Sequence, residues 1–315
     1  MTEVSDGLHR RRRYRRNRSL RGGRRAVVSV VGTLLALLVF FALFGIFVTQ
    51  YVPVWMGDNE STFSASIQAS LAQLKSNVDL QTTLGGPPSF STPFTLASQG
   101  IPLIAAPTTA TMDFTPRAAG TWINVSMQYG PSGKPGFYQN VSLGTIQVSV
   151  PNRYYTPQLY EYESDAVIQS QGDTNQLVLY PPLLAVNHTG GYSAGTLGLV
   201  EFYGNATQVV STGTIEVYSH LGNIQSFPSN GTPAAPGQSF NVTITLGTLY
   251  PCAWATYLSG TLAKAGLPSG GYTLSPSTCV ASGGQSTIVK LVLLHLNSFD
   301  LILASFTIAI GVGQS

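Results

Sequence analysis

Thirty-two consecutive residues, from Ala26 to Gly57, carry no charge, and ten arginines crowd the 25 residues before them. Within the uncharged run, Val27 to Val48 reads VVSVVGTLLALLVFFALFGIFV. At ~1.5 Å per residue such a helix crosses a hydrocarbon core of roughly 30 Å. A secretory signal has a shorter apolar region of about 7–15 residues and a small-residue cleavage site after it. Here the run ends in Phe47-Val48-Thr49-Gln50-Tyr51, so the segment is expected to be a single transmembrane helix.

The arginines (Arg10 to Arg13, Arg15, Arg16, Arg18, Arg21, Arg24 and Arg25) place the N-terminus on the cytoplasmic side by the positive-inside rule. A nucleic-acid-binding tail is the competing reading. The direct join to an apolar helix favours a topology signal touching anionic headgroups, so membrane lipid is expected as a partner and nucleic acid is not. Tyr51 and Trp55 fall where an outer aromatic belt belongs, and Pro53 is expected to kink or end the helix there.

Composition separates the rest of the chain from its tail. Charged residues make up 9% of the 315, against about a quarter in an ordinary soluble domain. Beyond residue 25, six Lys and Arg face eleven Asp and Glu, a net of −5. With 63 Ser and Thr, 33 Gly and 19 Pro, this is the composition of a turn-rich β protein facing an extracellular medium. Eight of 13 Asn open an Asn-x-Ser/Thr sequon, where chance would give two or three. Asn59, Asn124, Asn140, Asn187, Asn205, Asn230 and Asn241 lie beyond the span and are N-glycosylation candidates; Asn17 lies before it. The only cysteines, Cys252 and Cys279, are expected to form a disulfide in an oxidising compartment.

Between residues 58 and 80, Phe63, Ile67, Leu71, Leu74 and Val78 recur at threes and fours, which predicts a helical stalk capped by Asp58 or Asn59. Its stripe is expected to pack on its own head domain or on neighbouring subunits. Past residue 90 the period is two, as in Ile123, Val125, Met127 and Tyr129, and again in Val242, Ile244 and Leu246. A hairpin is expected from Asp165 to Tyr180. A short helix with Trp254, Tyr257, Leu258, Leu262 and Ala265 on one face is stopped by Gly266 and Pro268. The last thirty residues predict a β-hairpin buried in the core. The organisation expected is a cytoplasmic tail (1–25), a transmembrane helix (26–51), a helical stalk and linker (52–89), and an extracellular antiparallel β-sandwich with one small helix (90–315), mainly β overall.

Arg24-Arg25-Ala26-Val27-Val28-Ser29-Val30-Val31-Gly32-Thr33 resembles the N-terminus of archaeal type IV pilins and archaellins. There a basic stretch and a small residue precede an apolar helix opening on Ser-x-Val-Val/Ile-Gly-Thr. The resemblance implies prepilin-peptidase cleavage between Ala26 and Val27. It also implies self-association through the N-terminal helix. Ala26 stands where Gly is usual, and Val30 where Pro is usual. The remainder resembles archaeal surface proteins with a pilin-like helix, a stalk and a Thr/Gly-rich β ectodomain, a likeness that brings no activity with it.

Three acidic residues alternate at Glu161, Glu163 and Asp165, so a strand would set them on one face. They are candidates for an oxygen-ligand calcium site or a glycosidase acid pair, with Tyr154, Tyr155, Tyr160 and Tyr162 near enough to stack a sugar. A solvated strand edge is the plainer expectation. The histidines His188, His220 and His295 are scattered and belong to no zinc or triad motif, and no phosphate loop is present. No enzymatic activity and no cofactor are expected. The function expected is structural: a membrane-anchored extracellular protein, pilin-like subunit or surface component in adhesion or envelope assembly. The alternative is a permanently anchored β-sandwich module binding a glycan or another surface protein.

Overall fold

The computed structural model describes residues 22–86, 88–117, 121–129, 134–228, 239–268, 270–279 and 283–312. The tail up to residue 21, Asn230 and the turn Gly130-Pro131-Ser132-Gly133 lie outside them. Two compact units divide the chain, Met1–Pro53 and Val54–Ser315.

In the first unit, helix α1 (Gly22–Ile46) runs into a π-helical turn, Phe47–Tyr51. Every side chain from Val30 to Ile46 is exposed. Over that stretch the helix is apolar all round, and α1 is long and apolar enough to cross a membrane. Ala26 and Val27 both lie on its backbone.

The second unit opens with most of α2 (Val52–Leu84) and carries sixteen strands among the described residues. These are β1 (Phe90–Thr95), β2 (Thr111–Thr115), β3 (Trp122–Tyr129), β4 (Lys134–Ser142), β5 (Thr145–Val150), β6 (Gln158–Glu163), β7 (Ala166–Ser170) and β8 (Gln176–Tyr180). Then follow β9 (Leu184–Thr189), β10 (Tyr192–Tyr203), β11 (Thr207–Val210), β12 (Thr214–Pro228), β13 (Phe240–Thr248), helix α3 (Pro251–Lys264), β14 (Tyr272–Ser275), β15 (Thr287–Leu296) and β16 (Ser298–Val312). They form three sheets rather than two. The first has the order β1-β12-β16-β10-β9, the second β11-β2-β5-β6-β7-β8, and the third β14-β15-β13-β3-β4. All pairings are antiparallel except β10 with β16, so the unit is mainly β, as the alternating pattern predicted.

The predicted stalk helix is the centre of this unit, not a stem beneath it. Phe63, Ile67, Leu71, Leu74 and Val78 are buried against Phe94, Val217 and Phe306 of the first sheet and Met112, Phe114, Val148, Tyr160 and Tyr162 of the second. The stripe therefore packs on its own head, and the neighbouring-subunit alternative does not hold for it. Polar residues on the flanks of the stripe tie the helix to both sheets. Gln68 Nε2 donates to Tyr160 Oη at 3.1 Å, Lys75 pairs with Asp165 at 2.9 Å, and Asn77 Nδ2 donates to Thr92 Oγ1 at 2.9 Å. Gln81 Nε2 donates to Ser219 Oγ at 2.8 Å while its Oε1 accepts the amide of Leu221 at 3.0 Å.

A second core lies between the third sheet, α3 and parts of the other two, with Val125, Val242, Leu291, Trp254, Ile168, Leu199 and Leu301 inside it. Long strands serve both cores through their alternating faces. On β16, Phe299, Leu301 and Leu303 enter this core, whereas Ala304, Phe306 and Ile308 enter the one around α2.

The hairpin from Asp165 to Tyr180 is present as β7 and β8. Helix α3 forms with Pro251 in its first turn, and Gly266 at φ 68° follows its end. The expected disulfide joins Cys252 to Cys279 across 27 residues, worth on the order of 3–4 kcal/mol in the chain-entropy picture. The predicted terminal hairpin is not formed. β15 pairs with β13 and β14, whereas β16 lies between β12 and β10 in another sheet, so the chain changes sheets at Asn297. That residue's amide donates to the carbonyl of Ser193 at 2.8 Å and its Oδ1 accepts the amide of Ser193 at 2.8 Å, which docks the crossing point on β10.

Candidate functional site

The three acidic residues singled out in the sequence are all buried. Strand β6 is not an edge but the middle of the second sheet, between β5 and β7, and both its faces are covered. Tyr160 and Tyr162 point into the α2 core. Glu161 and Glu163 share the opposite face, and their hydrogen bonds come from the residues around the second core. The solvated-edge expectation fails for this reason.

Glu161 accepts hydrogen bonds from Tyr250 Oη at 2.5 Å and Gln147 Nε2 at 3.0 Å. Glu163 accepts from Thr248 Oγ1 at 2.5 Å and Trp254 Nε1 at 2.6 Å, with Thr121 Oγ1 further off at 3.5 Å. Asp165 leaves their company. Ser164 and Asp165 form the two-residue β6–β7 turn at φ 49° and 65°, a left-handed geometry that Asp tolerates. Its carboxylate accepts from Lys75 Nζ at 2.9 Å, the amide of Leu183 at 3.0 Å and Tyr162 Oη at 3.1 Å. The three carboxylates thus do not converge, and no group of three or more His, Cys, Asp or Glu among the described residues could hold a metal. Glu161 and Glu163 are themselves covered from solvent. The tyrosines do not surround them either, since Tyr160 and Tyr162 lie on the other face and Tyr154 and Tyr155 are exposed on the turn between β5 and β6.

Burial decides how these acids titrate. Desolvation, and then the neighbouring charge of Glu161, raise Glu163 to about 8 despite its donors. Glu161 is raised too, by desolvation opposed by Tyr250 and Gln147. Two carboxylates side by side in an apolar core cannot both ionise cheaply, and Glu163 is the one that keeps its proton at neutral pH. Desolvation also raises Asp165, to about 6, against the pull of Lys75.

Between pH 4.5 and about 8 the folded chain therefore holds a proton on Glu163 that the unfolded chain has released. Folded-state proton uptake makes stability fall as pH rises through that window, by a few kcal/mol at about 1.4 kcal/mol per unit. Thermal melts in detergent should show Tm falling from pH 5 to pH 8. Glu163→Gln, a neutral isostere, should flatten that slope and raise Tm at pH 8. A Tm that climbs over this range, or a slope that Glu163→Gln leaves intact, would refute the assignment.

Residue pattern gave no notice of the most heavily bonded carboxylate. Glu60, on the first turns of α2, is fully buried. It accepts the hydroxyl of Thr108 at 2.5 Å and the successive amides of Arg153 (3.0 Å), Tyr154 (2.7 Å) and Tyr155 (2.8 Å). Three consecutive N–H groups curled around one anion form a nest. Desolvation pushes this carboxyl up, but the Thr108 hydroxyl and the three amides outweigh it and hold it below its ordinary value. Its contribution has the opposite sign to that of Glu163. It is present above pH 4.5 and is lost as the medium becomes more acid.

Among the sequon residues, Asn140, Asn187 and Asn205 are exposed. Asn59 sits inside α2 with Nδ2 donating to the carbonyl of Gln99 at 3.0 Å, and Asn124 Nδ2 donates to Tyr138 Oη at 2.6 Å. Asn241 Oδ1 accepts the amide of His295 at 3.1 Å. His188, His220 and His295 lie on β9, β12 and β15; β9 and β12 are not neighbours in the first sheet, and β15 belongs to the third.

A cleft of about 420 Å³ reaches Gln147 and Tyr250, two donors to Glu161. Gln147, Gln158, Asp173, Gln176 and Tyr250 are among its lining residues. Comparison with family models, with curated proteins and with solved structures finds no match for this chain.

Proposed function

We propose that the chain is a single-pass surface protein, with its arginine tail in the cytoplasm and its β unit outside, acting as a pilin-like structural subunit. The observation that carries the reading is the division of labour along the N-terminal helical segment. Its apolar half, Val30–Ile46, has every side chain exposed, and its second half is threaded through the core of the β unit. An apolar helix left unpartnered can exchange lipid for other copies of itself, because both surroundings are apolar. A second half locked into its head transmits load from that helix to the outer surface. With the α2 stripe used internally, α1 is the surface on which such copies would assemble.

The cleft beside Tyr250 favours a second reading, a permanently anchored module that binds a glycan or surface protein. Side-chain amides there are held by hydrogen bonds from behind. Gln147 donates to Glu161, and the Oε1 of Gln176 accepts the amide of Cys252 at 3.2 Å.

Edman or mass-spectrometric sequencing of the mature N-terminus separates the two. Protein from native membranes and from sheared surface material should both start at Val27. An intact arginine tail in both fractions would sink the pilin route and leave a static anchor.

A further inference from the structure

Each of the three sheets ends in two edge strands, and an uncovered edge offers a row of unpaired N–H and C=O groups to any other strand. One edge of each sheet is guarded by the chain itself. In the first sheet, β1 carries Pro93, which has no amide to offer. In the second, β8 is covered by α3, whose Cys252 amide donates to Gln176 Oε1 at 3.2 Å. In the third, β14 is only four residues long, packs on α3 and ends beside Pro276.

The opposite edges are β9, β11 and β4. Lys, Arg, Asp and Glu, the usual guards of an edge, are missing from β9 and β11 and reach β4 only as Lys134 at its start. The end of α3 meets β9 where the His188 amide donates to the carbonyl of Ala265 at 3.2 Å. Each of the three edges carries an exposed sequon asparagine: Asn187 on β9, Asn140 on β4, and Asn205 two residues before β11. Thr207, which opens β11, is the threonine of that last sequon, and its hydroxyl donates to the carbonyl of Asn205 at 2.9 Å. The other described sequons beyond the span are not on edges. Asn124 and Asn241 lie on β3 and β13, inner strands of the third sheet, and Asn59 lies on α2. All three side chains are hydrogen-bonded within the fold. Asn124 and Asn140 stand directly opposite in register, and the edge member is the exposed one.

We propose that Asn140, Asn187 and Asn205 are N-glycosylated and that their glycans guard these three edges against pairing with strands of other copies. The inference rests on the β unit lying outside the membrane. A bulky, hydrated glycan does here what lysine does on the edges of more charged proteins, in a chain with charge at only 9% of its positions. In the modification, Nδ2 attacks the anomeric carbon of a lipid-phosphate-linked oligosaccharide. An N–C bond forms as the C–O bond to phosphate breaks; Nδ2 releases one proton and the lipid phosphate leaves. Side chains on a strand stand off the face of the sheet, so each glycan rises beside its edge and collides with a strand that approaches it.

Glycopeptide mass spectrometry of the full chain from native membranes should find an added oligosaccharide mass at Asn140, Asn187 and Asn205, and none at Asn59, Asn124 and Asn241. Two variant sets, made in the native host, remove all three sites. One carries Asn140→Gln, Asn187→Gln and Asn205→Gln, and the other carries Lys at the same positions. Light scattering in detergent should show the Gln set associating at severalfold lower concentration than the parent. The Lys set should behave as the parent does, since it guards the edges by charge. Bare asparagines at the three sites overturn the proposal. So does a Gln set no more associated than the parent, or a Lys set that associates as the Gln set does. A membrane-impermeant amine reagent on intact cells tests the premise at Lys264 and Lys290, both exposed. If both are labelled while the three asparagines are bare, the glycans are refuted and the outward placement stands. If neither is labelled until the cells are lysed, the outward placement falls and the proposal falls with it.

Discussion

Glu60→Ala is expected to destabilise the protein by about 3 kcal/mol, the cost of leaving several buried or half-buried donors without their charged acceptor. The Thr108 hydroxyl and the amides of Arg153, Tyr154 and Tyr155 converge on that one carboxylate. Water can reach the exposed turn at 153–155 and replace part of the loss, which keeps the figure below the full sum of four bonds. Glu60→Gln should cost less. It keeps an acceptor oxygen, but it loses the charge and turns an amide donor toward other donors. Two measurements check this. Urea melts give the stability change, and limited trypsin digestion reads the turn itself, because Arg153 should become a fast cleavage site only in Glu60→Ala. A change within about 0.5 kcal/mol, the usual size for surface substitutions, together with unaltered cleavage, would show that the nest is not holding the turn.

The stripe of α2 supplies the other large effect. Leu71→Ala should cost about 3–5 kcal/mol, since Leu71 is fully buried between two sheets that cannot both collapse onto the cavity. Leu71→Asp should prevent folding of the β unit, because a carboxylate there would be desolvated without a partner. Leu84→Asp, on the same helix but exposed, should stay within about 0.5 kcal/mol of the parent. The contrast also separates core from interface. A stripe that served only to join subunits would let Leu71→Ala keep the parent Tm in dilute detergent and lose only assembly. A parent-like Tm for Leu71→Ala would overturn the core assignment.

The two predictions draw on different amounts of sequence information. Phe63, Ile67, Leu71, Leu74 and Val78 announce a helix and its buried face by spacing alone, because a 3.6-residue period leaves no other way to gather them. The same holds for α1, where an uncharged apolar run of sufficient length leaves few alternatives, and for α3, stopped by Gly266 and Pro268. The period of two identified strands such as Ile123 to Tyr129, and the hairpin expected from Asp165 to Tyr180 is the one that forms. These are local signals, carried by residues a few positions apart.

Which surface covers which is another matter, and it decided the points the sequence misjudged. Gln-Leu-Tyr-Glu-Tyr-Glu on β6 reads as a half-solvated strand, yet the strand lies mid-sheet with both faces covered. Its carboxylates are tolerated there because Thr248, Trp254 and Tyr250, some ninety positions away, bring donors to them. β15 and β16 are joined by Asn297 and look like a hairpin, but β16 gains more by lying between β12 and β10, parallel to β10 over ten residue pairs. Glu60 looked like one more polar residue on a helix. Its three amide partners lie 93 to 95 positions along the chain. The sequence by itself determined the long apolar helix, the other helices and the β character, since these follow from the spacing of neighbours. Only the tertiary structure decided the burial of the acids, the sheet partner of the last strand and the docking of α2, since each depends on free energy gained between residues far apart in the chain.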